Sequence, residues 1–435
     1  MRNKKLNILI LSSVSPYVST NIGLDIMQSL EKAGHGVDFL TKFKFENMLP
    51  NMFSVFDYFE PMALTSRIKK KFPFLERIHK PSLRKKKPHK QVLFDLDYMF
   101  PPVDAISILK KINKNYDIII TSFWHHMITA KTLKEVYTKI HVPIYILAAD
   151  MLPMTGGCFY FADCLNFLNF CGNCPSLDSS NRYDLTYKNM IYKKDVYQTI
   201  DYYLIGNSWV CNWAQQNPLF DQSKIKKIIG IINENTFIPG NKIEIRRVFN
   251  ISPGKKIILF AGSQSFKEKR KGFDILIKSI NIFASGLTVK QKEGLLLLIA
   301  GKVDSDIQKY FNIDIYCPGY LSTELLSAAY SAADCYLSTT VEDAGPLMVC
   351  QALMCGTPVV AFEVGVAIDI VITGVTGYKA KCYDIDDYIN GIKEIYNYTD
   401  NEKKYISDNC RKYAVENFSM RTFAESIEKI YDKIL

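Results

Sequence analysis

No apolar run in this chain of 435 residues approaches the roughly 20 that a membrane-spanning helix requires. The longest, such as Gly294 to Gly301 (GLLLLIAG), have the length of a buried strand. The start, MRNKKLNILILSS, is basic, but its apolar run is short and no small-residue cleavage site follows. It reads as a first strand, and the chain is expected to stay in the cytoplasm. Internal repeats and low-complexity tracts are lacking too. With 48% hydrophobic and 23% charged residues, nothing in the composition argues for disorder or for a fibrous chain. What remains is a globular chain too long for one core, since domains usually run to roughly 100 to 200 residues, and two α/β lobes are expected.

The formal net charge is +10, and it is concentrated. Arg67 to Gln91 (RIKKKFPFLERIHKPSLRKKKPHKQ) holds eleven Lys and Arg against one Glu, so the other 410 residues sum to zero. That is not a basic surface for duplex nucleic acid, and no nucleic-acid partner is expected. What needs explaining is one basic segment, 67–91, punctuated by Phe72, Phe74, Leu75 and Ile78. Of eleven cysteines, seven are scattered singly as small core residues would be, and a cytoplasmic chain keeps them reduced. The other four are clustered.

The order of elements reads as two doubly wound halves. Lys5 to Ser12, a helical pattern from Gly23 to Ala33 and the extended run Gly34 to Thr41 make a βαβ opening. Tyr116 to Thr121, Pro143 to Ala148 and Tyr202 to Gly206 are further strand candidates. A second series starts at Lys255 to Gly262, after the turn signal Pro253-Gly254, and continues at Gly294 to Ala300, Ile313 to Cys317, Cys335 to Ser338 and Pro358 to Phe362. We therefore expect a first lobe over 1–240, a second over 241–418 and a C-terminal helix over 419–435 that packs back on the first lobe.

Two constellations in the second half carry chemistry. After the candidate strand Cys335 to Ser338 comes VEDAGPLMVCQALMCGTP, in which Pro346 suits the first position of a helix and Gly356 its end. Backbone N–H groups near Gly345, Leu347 and Met348 would then form a phosphate site, with Glu342 and Asp343 ahead of it as acceptors for ligand hydroxyls. An acidic N-cap on a structural helix explains the same residues about as well. The second is FAGSQSFKEKRKGF at Phe260 to Phe273. Its Gly262-Ser263 loop follows a strand, and Arg270, Lys271 and Gly272 precede an amphipathic helix, so cations stand where an anion could bind. A solvated basic loop is the alternative, and it suits Lys267 and Lys269 better than Lys271.

These residues resemble the nucleotide-sugar-binding half of family 4 GT-B glycosyltransferases, particularly bacterial capsule and colanic-acid-type sugar transferases. The matching text is RKGFDIL at Arg270 to Leu276, CPGYLSTELLSAAYSAAD at Cys317 to Asp334, EDAGPLMVCQALMCGTPVVAFEVG at Glu342 to Gly365 and TGYKA at Thr376 to Ala380. The resemblance implies an α/β GT-B fold of two Rossmann-like lobes with a cleft between them, a UDP- or GDP-linked sugar donor, retention of anomeric configuration and no catalytic metal. It assigns Arg270 and Lys271 to the donor pyrophosphate and Asp343 to donor-sugar hydroxyls, with Glu342 as second choice. Gly262, Ser263, Gly319, Gly345, Leu347 and Met348 would line the donor. The ribose-binding acid of the family is replaced here by Gln351, a neutral partner.

The clustered cysteines lie in DMLPMTGGCFYFADCLNFLNFCGNCP, Asp150 to Pro175. Cys158, Cys164, Cys171 and Cys174, ending in a C-G-N-C-P knuckle, fit a closed tetrahedral zinc site that orders a loop within the first lobe. An iron–sulfur cluster fits less well, and two disulfides conflict with the compartment. The segment also resembles the corresponding stretch of the colanic-acid-type enzymes, which implies that Asp150, Thr155 and Gly156 lie on the acceptor or sugar side. Those enzymes commonly have His where this chain has Ala149. His125 and His126 are the nearby imidazoles, with a structural use the more frequent outcome for such residues.

Capsule-type acceptors are usually sugars on polyprenyl pyrophosphate, so the resemblance implies a lipid-linked glycan acceptor in surface polysaccharide synthesis. The basic segment would then hold the chain peripherally on the anionic inner face of the membrane. Two rival readings stay open: a catalytically silent GT-B scaffold in a polysaccharide-assembly complex, suggested by Ala149 and Gln351, and a zinc-knuckle nucleic-acid-binding protein.

Overall fold

The computed structural model describes residues 5–15, 18–59, 101–261, 268–303, 306–345 and 347–433. The basic segment 67–91 lies outside them. The chain divides into two compact units, residues 1–16, 35–204 and 216–224 in the first and residues 17–34, 205–215 and 225–435 in the second. Among the described residues no helix is long and apolar enough to cross a membrane.

Strands β1 (Asn7–Ser12), β2 (Gly36–Lys44), β3 (Met52–Phe59), β4 (Ile118–Ser122), β5 (Ile144–Leu147), β6 (Tyr202–Gly206) and β7 (Ile225–Lys227) form one sheet in the order β3-β2-β1-β4-β5-β6-β7. The pairs of β1 with β2 and of β1 with β4 are both parallel. The order therefore reverses between β1 and β4, and a parallel sheet leaves a crevice outside the carboxyl ends of two such strands. The principal helices associated with this part of the chain are α1 (Val18–Lys32), α2 (Ala130–Ile140) and α3 (Leu185–Thr199). α2 starts in a capping box between Thr129 and Thr132, and Asp184 caps α3 by accepting from the N–H groups of Thr186 and Tyr187.

The second sheet comprises β8 (Lys256–Ala261), β9 (Leu295–Ala300), β10 (Asp314–Gly319), β11 (Cys335–Ser338), β12 (Val359–Phe362) and β13 (Gly377–Ala380), in the order β10-β9-β8-β11-β12-β13. All its pairings are parallel. Its strands are apolar on both faces, as a sheet covered by helices on each side requires. Ile257 and Leu259 of β8 belong to one core cluster with Leu296 and Leu298 of β9, while Ile258 and Phe260 point into another with Leu295, Leu297 and Ile299. The period of two thus splits one continuous hydrophobic run between two cores.

Helices α4 (Phe273–Ser285), α5 (Thr323–Ala332), α6 (Leu347–Met354), α7 (Ile385–Tyr396), α8 (Asp400–Phe418) and α9 (Met420–Asp432) complete the second unit. α9 is capped by Ser419 and buries Phe423, Ile427 and Ile430. It lies against α1, where the Ser29 hydroxyl donates to the Met420 carbonyl and Glu234 accepts from the Met420 N–H at 3.0 Å. Residues 17–34 accordingly group with the second unit rather than with the chain segments that flank them.

Candidate functional site

The candidate site of the second unit is built on β8 and β11, the two adjacent strands where its sheet order reverses. After β8 the chain makes a 3₁₀ turn, Lys269–Lys271, and Gly272 enters α4 with φ +64°. A Cβ there would stand 2.0 Å from the carbonyl oxygen of Thr339, so glycine is required on two counts, conformation and space. The close approach is stitched by the Thr339 hydroxyl donating to the Lys271 carbonyl at 3.0 Å and the Val341 N–H donating to the Arg270 carbonyl at 2.8 Å. The loop carrying the cations is thereby fixed to the loop carrying the acids.

Asp343 is 5% exposed. Its Oδ2 lies 2.8 Å from Nη1 of Arg270 and is also contacted by Nζ of Lys271, while its Oδ1 accepts from the Gly345 N–H at 3.0 Å. Burial pushes this carboxyl up, but Lys271, Arg270 and the Gly345 N–H outweigh it, and the group is held below its ordinary range. Arg270 reaches further, pairing through Nη2 with Glu268 at 2.6 Å and donating to the Glu342 carbonyl at 3.3 Å. Glu342 itself is buried. Asn207, at the end of β6, supports the same turn: its amide donates to the Ala344 carbonyl, and its Oδ1 accepts from Val210 N–H at 3.1 Å. Sequence reasoning passed over Asn207, although Gly-Asn-Ser after a strand was the available signal.

Residues 241–414 match the family described as Glycosyl transferases group 1. An uncharacterized glycosyltransferase of Methanocaldococcus jannaschii (MJ1069) is 25% identical over 272 residues, taking in 58% of this chain and 62% of that protein. This chain thus spans less than two thirds of that relative's length. Among solved structures, sucrose-phosphate synthase from Thermosynechococcus elongatus is similar with a TM-score of 0.65 at 17% identity, covering 99% of each chain. Anabaena HepE in complex with UDP and glucose is similar with a TM-score of 0.61 at 14% identity, covering 98% of this chain and all of that one. The fold is GT-B.

The other residues expected on the donor side fall in several places. Gly345, Leu347 and Met348 are half-buried where α6 begins, directly after Asp343. Gly319 ends β10 with φ +80° and open space where a side chain would stand, and the neighbouring Tyr320 is exposed. Gln351 is 1% exposed, and its Oε1 accepts from the hydroxyl of the fully buried Tyr330 at 3.2 Å. Its amide oxygen is therefore committed to Tyr330, a member of the buried core of the second unit. Gly262 and Ser263 lie outside the described residues.

In the first unit, His125 follows β4 and Ser13 follows β1, the two strands at that sheet's reversal point. Ser13 Oγ and His125 Nδ1 are 3.4 Å apart, the Ser13 N–H donates to the Phe123 carbonyl at 3.0 Å, and the His125 ring lies 5.6 Å from that of Phe159. His126 stands beside His125 and accepts from Lys42 Nζ through its carbonyl at 2.7 Å. Asp150, at the end of the β5 segment, is buried and accepts from the Leu152 N–H at 2.8 Å. Burial pushes its carboxyl up to about 6, opposed by that hydrogen bond and by Lys193. Thr155 and Gly156 are buried and used within the loop. The Thr155 hydroxyl donates to the Cys158 carbonyl at 2.5 Å, and Asn189 donates to the Gly156 carbonyl at 2.8 Å.

Cys158, Cys164, Cys171 and Cys174 are free thiols of that loop. Among the described residues no three His, Cys, Asp or Glu side chains converge on one point as metal ligands. The four thiols are nevertheless close enough for each of the other three to act electrostatically on Cys158. Burial raises the Cys158 and Cys174 thiols and pushes Cys171 up to about 12. The sulfur atoms also accept backbone N–H groups, Cys174 from Leu177 and Ser176 and Cys171 from Gly156.

Proposed function

We propose that the protein is a retaining glycosyltransferase that moves a sugar from a UDP- or GDP-linked donor to a glycan acceptor in surface polysaccharide synthesis. One observation carries the reading: Arg270 and Lys271 converge on buried Asp343 at the reversal point of the second sheet. As the glycosidic bond breaks, negative charge grows on the departing diphosphate, and preorganised cations that meet it lower the barrier. Arg270 and Lys271 supply those cations, and Asp343 takes up hydroxyls of the donor sugar. The UDP and glucose in the HepE complex support a nucleotide sugar as the ligand class.

Retention follows the family resemblance. In that mechanism the departing phosphate takes the proton of the acceptor hydroxyl, so neither a carboxylate nucleophile nor a catalytic metal is needed. On the acceptor side the reading uses the reversal point of the first sheet, with His125 in place of the imidazole that Ala149 lacks and Asp150 nearby. A polyprenyl pyrophosphate carrier and docking at an anionic membrane through residues 67–91 complete the proposal. Changing Lys69, Lys70, Lys71, Lys85, Lys86 and Lys87 to Gln should abolish binding to anionic vesicles; retained binding removes the membrane element.

The central test is a hydrolysis and transfer screen over UDP- and GDP-sugars with Asp343→Ala as control. Turnover of one donor, reduced at least about 100-fold in the variant, is expected. Absence of both turnover and a nucleotide-induced thermal shift overturns the reading. The commitment of Gln351 to Tyr330 favours a second reading, a silent scaffold that binds nucleotide; its signature is a thermal shift without turnover.

A further inference from the structure

We propose that Lys193 is a positioning residue: with Asn189, Tyr197 and Asn217 it grips the carbonyls of residues 152–156, and the grip aims the Asp150 carboxylate at a hydroxyl of the acceptor sugar, a role that rests on the proposed transferase function. Residues 148–184 contain only three short 3₁₀ turns, Leu152–Met154, Asn166–Asn169 and Pro175–Leu177. A stretch with so little regular structure has no ladder for its carbonyls, and where they are buried they need other donors. Leu152, Pro153, Met154, Thr155 and Gly156 are all buried.

Every one of these five carbonyls accepts from a buried side chain. Lys193 Nζ donates to Leu152 at 2.5 Å and to Thr155 at 2.7 Å, the Tyr197 hydroxyl to Pro153 at 2.9 Å, Asn217 Nδ2 to Met154 at 2.8 Å and Asn189 Nδ2 to Gly156 at 2.8 Å. Asn189, Lys193 and Tyr197 follow one another at intervals of four along α3, so one stripe of the helix supplies all the bonds except that of Asn217. The four donors are 2–3% exposed, and solvent does not compete for them. Asn189 Oδ1 is buried without a hydrogen-bond partner among the described residues, yet turning the amide over would set that oxygen against the Gly156 carbonyl. A Cβ on Gly156 would lie 2.6 Å from the Thr186 carbonyl oxygen, so glycine lets the loop come this close to α3.

The clamp reaches Asp150 through a single residue. Leu152 gives its N–H to Asp150 Oδ1 at 2.8 Å and its carbonyl to Lys193, so carboxylate and ammonium hold two sides of the same residue. A cation this deeply buried is stabilised by negative charge close by, and the Asp150 carboxylate supplies it. Asp150 Oδ2 has no hydrogen-bond donor among the described residues and is not enclosed. Asp150 follows β5, whose neighbour β4 is one of the two strands at the reversal point, and parallel sheets take their ligands at such carboxyl ends. The Met151 N–H donates to the Phe159 carbonyl at 2.9 Å, and the Phe159 ring stands 5.6 Å from that of His125, so the clamped segment borders the His125 site. An open carboxylate oxygen in that place suits a sugar hydroxyl as hydrogen-bond donor. The other ionisable groups facing the pair are Cys158 and Cys171, on which Lys193 also acts, Tyr197 on α3, and His125 beside Phe159. Burial keeps both thiols and the Tyr197 phenol protonated at neutral pH.

The decisive test uses the full chain and no substrate. Protein labelled with ¹³C at the aspartate carboxyls is titrated by NMR from pH 4 to pH 9, and the Asp150 signal is assigned by its loss in Asp150→Asn. Lys193→Met keeps the length of the side chain but removes its charge and its donors; the Asp150 midpoint should rise by roughly one pH unit or more, and amide exchange over residues 151–156 should quicken. Because that variant can fail to fold, Tyr197→Phe, which removes only the donor to Pro153, provides a second readout: faster exchange over the same residues with the midpoint in place. A midpoint unmoved in folded Lys193→Met overturns the proposal, as does unchanged exchange in Tyr197→Phe. In the donor screen, with methyl glucoside, methyl galactoside, methyl mannoside or water as acceptor, Lys193→Met should lower kcat at least about tenfold at unchanged donor KM, and wild-type kcat in the variant also overturns it. No turnover by the wild type removes the transferase reading alone, since the titration still decides the clamp.

Discussion

Nη1 of Arg270 stands 2.8 Å from Oδ2 of Asp343, and the same oxygen receives Lys271. Two cations thus share one carboxylate oxygen, in a loop fastened to its neighbour through Thr339 and Val341. Under the proposed function a diphosphate displaces that carboxylate and meets cations already in place. The first prediction follows directly: Arg270→Ala and Lys271→Ala should each weaken UDP binding by at least about tenfold, roughly 1.4 kcal/mol. Titration calorimetry checks this, and unchanged affinity in both variants removes them from the site.

Asp343 should leave a signature in acid. Its carboxyl is held below the ordinary value of 3.8, so it contributes stability that is fully present above that value and lost as pH falls through its folded-state pKa. Urea unfolding followed from pH 7 down to pH 3 should therefore show a steeper loss in the wild type than in Asp343→Asn. Parallel profiles would mean that the carboxylate gains nothing from its two partners.

Much of this site was legible beforehand because its residues sit at strand ends, where hydrophobic runs stop and chemistry begins. Strands β1, β2, β4, β5 and β6, and β8 through β12, fall on the apolar runs read from the sequence, and α6 ends at Met354, two residues before the Gly356 expected to close it, which has φ +74°. β3 and β13 were not read: in β3 the burial pattern breaks into an exposed aromatic end, and β13 is four residues led by a glycine. β7, a three-residue strand with no fully buried position, offers no periodicity at all. Spacing put four thiols in one loop, but among the described residues they do not converge as a ligand set. Register put Gln351 eight residues after Asp343, yet only packing against Tyr330 decides which way its amide turns.

Gly272 gives a prediction about geometry rather than charge. Gly272→Ala would drive a Cβ into the Thr339 carbonyl at 2.0 Å while keeping φ near +64°, so the loops bearing Arg270 and Asp343 must separate. We expect a stability loss of about 2 kcal/mol or more together with weakened UDP binding. Gly286→Ala is the control, since φ is −82° there and the nearest atom to a new Cβ is 3.5 Å away. It should change stability by less than about 1 kcal/mol. Equal effects of the two substitutions would show that the Gly272 contact is dispensable.

Asp25 of α1 predicts a pH dependence of opposite sign. It is 6% exposed, and burial, with Glu234 nearby, raises its carboxyl to about 7 against the lowering effects of Asn233 and Lys32. A folded-state pKa above the unfolded value of 3.8 means that the contribution is fully present below 3.8 and is lost as pH rises through about 7. At roughly 1.4 kcal/mol per pH unit, the ionised group costs the fold at most about 4 kcal/mol at pH 8. The cost falls where Glu234 also holds the Met420 N–H at the start of α9, so α1 and α9 should loosen first. Asp25→Asn should therefore stabilise the chain against urea more at pH 8 than at pH 5, and hydrogen exchange in residues 420–432 should slow most at the higher pH. Identical pH profiles for the two proteins would mean that Asp25 ionises in the folded chain without cost.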